Sequence, residues 1–163
     1  MGRLTTATLT AIAYLGIAIP SAVALSAKDE VGSWTLESDV STTPDGHKLL
    51  PFGSDPQGIA IFDNSGRFAI VVSRPDLPKF ASDNRMQGTA TENEAIVRGS
   101  IAFFGTYSIK DGAIIQHVEG GTWPGWIGTD QKRTVAAFAQ DEQTWTTVPS
   151  FGGTSELRWR RLQ

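Results

Sequence analysis

The sequence predicts an all-β fold, an eight-stranded antiparallel up-and-down barrel with one short helix inserted between strands three and four. Three observations predict it. Short stretches rich in apolar and β-branched residues recur along the chain, turn chemistry joins most of them, and no repeated strand-helix-strand pattern breaks the series. Eight strands closed on themselves leave an interior wide enough for one small ligand.

Residues 1–24 have the make-up of a secretory signal. Arg3 supplies a positive start, Ala7 to Ile19 an apolar run, Pro20 a helix breaker, and Ala22-Val23-Ala24 a cleavage site near Ala24. The run is too short and too interrupted for a stable membrane span, which needs about 20 mostly apolar residues. An exported protein, periplasmic or extracellular, is therefore expected, with its domain in residues 25–163.

Gly32 to Val40 alternates Trp34, Leu36 and Ser38 against Thr35, Glu37 and Asp39, a half-buried strand with an outer acidic face. Pro44-Asp45-Gly46 is turn chemistry, and Pro51 to Pro56 forms an irregular piece. Gln57 to Asp63 and Arg67 to Ser73 flank Asn64-Ser65-Gly66, whose glycine suits the left-handed position of a bulged hairpin. Pro75 and Pro78 then forbid a continuing strand. Thr91 and Glu94 have the spacing of a capping box, opening a short helix that Gly99 stops.

Asp111-Gly112 is the strongest turn signal in the chain, because a type I′ hairpin needs positive φ at two successive residues. It sits between Ser100 to Lys110 and Ala113 to Gly120. Pairing Lys110 with Ala113 sets Tyr107 opposite Gln116, Gly105 opposite Val118 and Phe104 opposite Glu119. Beyond the loop from Gly120 to Trp126, Thr129 to Phe138 supplies the next strand. Gln143 to Pro149 and Ser155 to Leu162 complete the eight, joined by Ser150-Phe151-Gly152-Gly153.

Composition bounds the function. The chain has 163 residues, 40% of them hydrophobic, no cysteine and a formal charge of -3, so one globular domain is expected. Without disulfides the exported domain must stand on its core, and at this size roughly two-thirds of the chain surface is buried, which suffices. A nucleic-acid partner is not expected: the one basic cluster, Arg158, Arg160 and Arg161, lacks a wide positive face. With two histidines and no ligand spacing, neither a metal nor a cofactor is expected, and His47 reads as a solvated loop residue. Phosphate loops, a Gly-x-Ser-x-Gly elbow and a His-Glu-x-x-His motif are absent.

One face of the central hairpin carries Phe103, Gly105, Tyr107, Ile114, Gln116 and Val118; the other carries Phe104, Thr106, Ile115, His117 and Glu119. On the next strand Asp130 and Lys132 want water, which turns Gln131 and Arg133 inward. Two arrangements are open. With the apolar hairpin face inward, His117 and Glu119 form a wet exterior. With the polar face inward, His117, Glu119, Gln131 and Arg133 make one interior cluster, in which Glu119 is the carboxylate a buried arginine requires. The second is favoured, because two i, i+2 polar pairs fall on adjacent strands. The ligand-binding residues so predicted are these four with Phe104 and Tyr107, Trp123 and Trp126 near a mouth, and Arg74 placed to gate it.

Gly32-Ser33-Trp34 opens the first strand, and Arg158 and Arg160 stand in the last. This resembles the Gly-x-Trp and late arginine of lipocalin (calycin) barrels, where the tryptophan closes the barrel floor and the cation packs over its ring. Further pieces follow in order: Pro51-Phe52-Gly53, Gly66-Arg67, Arg74-Pro75-Asp76 with Phe80, Tyr107, His117-Val118-Glu119-Gly120, Trp126-Ile127-Gly128-Thr129, and Gln131 with Arg133. Together they resemble the bacterial and fungal lipocalin-like domain family over nearly the whole chain after the signal. The resemblance implies the fold more than any activity.

Three functions fit these residues. The first is an exported carrier or sequestering protein for a small, mostly hydrophobic molecule, acting as a monomer or weak dimer. The second is a cyclase, isomerase or lyase in the same cup, with His117 moving a proton because a carboxylate beside Arg133 would be a poor base. The third is a packed structural barrel without ligand.

Overall fold

The computed structural model describes residues 25–163; the signal-like segment 1–24 lies outside the described residues. Nine strands form one sheet: β1 (Gly32–Thr42), β2 (Lys48–Leu49), β3 (Gln57–Phe62), β4 (Arg67–Ser73), β5 (Ser100–Lys110), β6 (Ala113–Gly121), β7 (Asp130–Phe138), β8 (Glu142–Thr147) and β9 (Thr154–Arg161). Eight of them pair antiparallel, each with the next, and β9 returns to pair with β1 from Trp34↔Arg161 to Thr42↔Thr154, which closes the barrel. The two-residue β2 is a flap on the end of β1. Helix α1 (Ala27–Glu30) precedes the barrel, and α2 (Ala90–Gly99) joins β4 to β5.

The turns follow local chemistry. Asp111 and Gly112 have φ of 51° and 70°, the type I′ signature, and the register runs from Lys110↔Ala113 to Gly105↔Val118 as the turn demands. Between β3 and β4, Gly66 takes φ 82°, while Asp63 Oδ1 accepts from the amides of Ser65 and Arg67, each at 2.9 Å. Helix α2 starts two residues earlier than the Thr91/Glu94 spacing suggests. Thr89 caps it, accepting from Glu92 N, and Glu92 Oε2 reaches back to Thr89 N at 2.7 Å. Both Thr-x-x-Glu quartets satisfy the pattern, and Thr89 prevails because Glu92 also accepts from Ala81 N at 2.8 Å, tying the helix start to the preceding loop.

Three β-bulges reset the alternation. Two residues of the bulged strand oppose one on its partner at Glu37 in β1, at Glu119 in β6 and at Ala136 in β7. Each bulge reverses which side the following residues face. In β1 this turns Asp39 and Ser41 inward after Trp34 and Leu36, so the outer acidic face expected at Asp39 does not form. In β6 it places Phe104 opposite Gly120 rather than Glu119.

The core is a run of interlocked rings. Phe62 meets Tyr107 and Trp145 edge-on at 5.0 and 6.0 Å, Phe68 meets Phe103 at 5.8 Å, and Trp145 leans on Trp159 at 4.9 Å. Such pairs add about 1 kcal/mol each beyond the area they bury. The α1 end is the closed floor. Trp34 donates its indole N–H to Glu30 O at 2.9 Å, and Tyr107 donates to Asp63 O at 3.1 Å. The cation over Trp34 is Arg161, 4.0 Å from the ring centroid, which also donates to Val31 O at 2.6 Å. Arg158 and Arg160 do not serve here: Trp159 points inward, so its neighbours point out, and Arg160 pairs with Glu37 on the surface.

Candidate functional site

At the end opposite α1 the barrel encloses a cavity of about 130 Å³. Its wall is mostly apolar, with Ile70 and Val72 from β4, Phe103 from β5, and Trp145 and Trp159 from β8 and β9. Phe52, Trp126 and Phe151, from the loops, stand at the mouth. Alternation explains the strand residues: Phe68, Ile70 and Val72 all face in, and Ala69 and Val71 face out.

Two charges interrupt that wall. Arg133 lies in β7 opposite Ile114, on the inner face, and is 5% exposed. Its Nε donates to Gln116 Oε1 at 3.1 Å and its Nη1 to Thr147 Oγ1, while its guanidinium packs 5.3 Å from the Trp126 ring and 5.8 Å from Phe103. Nη2 makes no hydrogen bond among the described residues. Asp39, brought in by the β1 bulge, is also 5% exposed, and its buried Oδ1 has no hydrogen-bond partner among the described residues.

Burial pushes the Asp39 carboxyl up to about 6, with the Ser41 hydroxyl and the Arg133 charge restraining the rise. Burial also pushes Arg133 down to about 10, against the pull of Asp39, so the guanidinium stays charged at neutral pH. The cavity thus offers an apolar chamber for a ring or chain, a cationic donor and a carboxylate acceptor.

The predicted cluster divides. Arg133 and Trp126 line the cavity. Gln131 faces the interior opposite Gln116, but its Nε2 is spent on Thr129 Oγ1 at 2.8 Å near the rim. His117 and Glu119 are on the outer surface, contrary to the favoured arrangement: His117 pairs with Asp130 at 2.8 Å, and Glu119 with Arg67 at 2.6 Å. Phe104 is likewise outside, 48% exposed.

The reason is the register. His117 lies opposite Asp130, so the residue that wants water carries the histidine out with it, whereas Gln116 goes in with Gln131. Tyr107 belongs to the floor rather than the cavity. Trp123 is half exposed on an outer groove beside α2, and Arg74 is held by Asp76 at 2.8 and 3.0 Å on the surface.

Asp39, Thr147 and Phe151 escaped the sequence reading. The two polar ones depend on a bulge or on cross-barrel placement, but Phe151 carried a readable signal, an aromatic residue among Ser and Gly in a loop between late strands.

The chain is similar to several known proteins. A curated relative, the 4'-hydroxy-3'-methoxypropiophenone carrier protein of Aspergillus oryzae (strain ATCC 42149 / RIB 40), is 29% identical over 103 residues, covering 56% of this chain and 93% of that protein. Among solved structures, a redesigned β-barrel matches with TM-score 0.45 and 14% identity, covering 88% of this chain and 100% of its own. A de novo designed fluorescence-activating β-barrel matches with TM-score 0.41 and 13% identity, covering 83% and 96%. The pattern of the lipocalin-like domain matches residues 31–162, from the residue before β1 to the residue after β9. Every strand of the closed barrel lies inside that match, and the chain belongs to the lipocalin-like domain family.

Proposed function

We propose that this protein is a carrier that takes up one small, mostly apolar molecule in the barrel cavity, working outside the cytoplasm. The observation that carries the reading is Arg133: a guanidinium held inside an apolar chamber with one terminal nitrogen unengaged. Burying a charge costs several kcal/mol, and in a purely structural barrel a packed apolar side chain would stabilise the fold better. The named function of the Aspergillus oryzae relative, carriage of a substituted propiophenone, supports a ring-bearing cargo of this size. The signal-like make-up of residues 1–24 supports export.

A catalytic use of the cup is less well supported, because His117, the proton carrier it was built on, stands outside the barrel. Native mass spectrometry of the protein purified from its own host, followed by tryptophan fluorescence titration with aryl ketones, tests the reading. A co-purifying small molecule, or saturable quenching lost in Arg133→Met, supports it. An empty protein whose fluorescence no aryl ketone alters refutes it.

A further inference from the structure

We infer that the cavity selects neutral, hydroxyl-bearing one-ring molecules and turns away the corresponding carboxylates, and that Asp39 sets this preference. The inference rests on the carrier reading and names the ligand chemistry of the same site. Asp39 and Arg133 line one cavity, each 5% exposed, and no contact within 4.0 Å joins them as an ion pair. They are the two charged residues in its lining.

The interior is therefore neutral as built. A carboxylate ligand would gain Arg133 but would place a second negative charge beside Asp39, in a space too dry to screen it. A hydroxyl does what neither ion can: it donates to the Asp39 carboxylate lining the cavity and accepts from the unengaged Arg133 Nη2. The size agrees, since an apolar cavity of about 150 Å³ takes a benzene ring and this one measures about 130 Å³. Phe103, Trp126 and Trp145 supply aromatic walls.

The preference also depends on pH. Arg133, across the cavity on β7, is the charged group facing Asp39. On its own strand and on β9, Glu37, Glu156 and Arg158 carry their charges on the outer side. Burial raises the Asp39 carboxyl to about 6, so below that value the cavity becomes net positive and the rejection of anions lapses.

Benzyl alcohol and benzoate, one neutral and one anionic on the same ring, are the probes. Each is titrated into the protein at about pH 8 while the indole N–H signals of Trp126 and Trp145 are followed by NMR. The expected result is benzyl alcohol binding at least about tenfold more tightly than benzoate, with the order reversed in Asp39→Asn. A second arm needs no variant. At about pH 5, where benzoate is still mostly ionised, wild-type affinity for benzoate should rise several-fold while that for benzyl alcohol stays within about twofold.

Equal affinities at about pH 8, or a ratio that neither Asp39→Asn nor acid changes, would overturn the selectivity and leave the carrier reading standing. If neither probe shifts either indole signal in either protein, the selectivity falls, and the aryl-ketone titration then decides the carrier reading on its own.

Discussion

Replacing Glu30 by glutamine should make the protein more stable in alkaline solution and leave it unchanged in acid. Glu30 closes the barrel floor from α1 and is wholly removed from solvent. Its Oε2 accepts from Gln143 Nε2 at 3.1 Å, but Oε1 has no partner among the described residues. Burial pushes its carboxyl from 4.5 up to about 7, with the Gln143 hydrogen bond and the Arg161 charge limiting the rise.

Because the folded-state value lies above the unfolded one, folding takes up a proton. The associated stabilisation is complete below about pH 4.5 and is lost as pH rises through about 7. At about 1.4 kcal/mol per pKa unit, the window spans about 3 kcal/mol. Glutamine keeps the shape and the hydrogen bond from Gln143 while removing the charge. Both it and the protonated acid leave a donor at the unpartnered position, so the two proteins should match near pH 4.5. At about pH 8.5 the variant should be about 3 kcal/mol more stable. Urea unfolding followed by tryptophan fluorescence across this range measures the difference. Parallel pH profiles, or a variant less stable at about pH 8.5, would refute a buried carboxylate in the floor.

Other substitutions separate the parts of the structure. Arg161→Ala removes the cation over Trp34 and the hydrogen bonds to Val31 O and Gln140 O, so thermal unfolding should show a loss of about 2–4 kcal/mol. Gly105→Ala puts a Cβ 1.9 Å from the His117 carbonyl oxygen, so the β5–β6 ladder must give way. A destabilisation of at least about 3 kcal/mol, or failure to fold, is expected in circular dichroism melts. His117→Ala with Glu119→Gln should leave affinity for benzyl alcohol within about twofold of wild type, since both side chains lie outside the cavity. A larger loss by NMR titration would contradict the register described above.

Much of the barrel was readable because its signals are local. Asp111-Gly112 sets a turn type, the turn sets a register, and the register fixes Tyr107 opposite Gln116. Gln131 and Arg133 could be turned inward from one strand alone, because Asp130 and Lys132 sit between and beside them. The site itself was less readable. Its carboxylate is Asp39, and a strict two-residue period assigns that residue to water; only the extra residue at Glu37 reverses it. The bulge answers to strand curvature and to pairing with β9, more than a hundred residues away in sequence, so nothing beside Asp39 announces it. Glu119 was an attractive partner for Arg133 because it lay near in sheet order. Its own bulge and Arg67 on the neighbouring surface hold it outside. The helix start failed by two residues because two overlapping Thr-x-x-Glu quartets compete, and a loop amide decides between them.

The seam between β1 and β9 has a consequence for how the molecule is made. Half of the ladder of β1 waits for Thr154–Arg161, the last strand of the barrel to be synthesised. Until then the nascent sheet is an open ribbon with two bare edges, and a bare edge invites pairing with a neighbouring chain. Ring closure over so long a loop is also slow to nucleate, which places folding in the range of milliseconds to seconds. The final eight-residue strand therefore acts as a latch, and conditions that delay its arrival should favour aggregation over the finished cup.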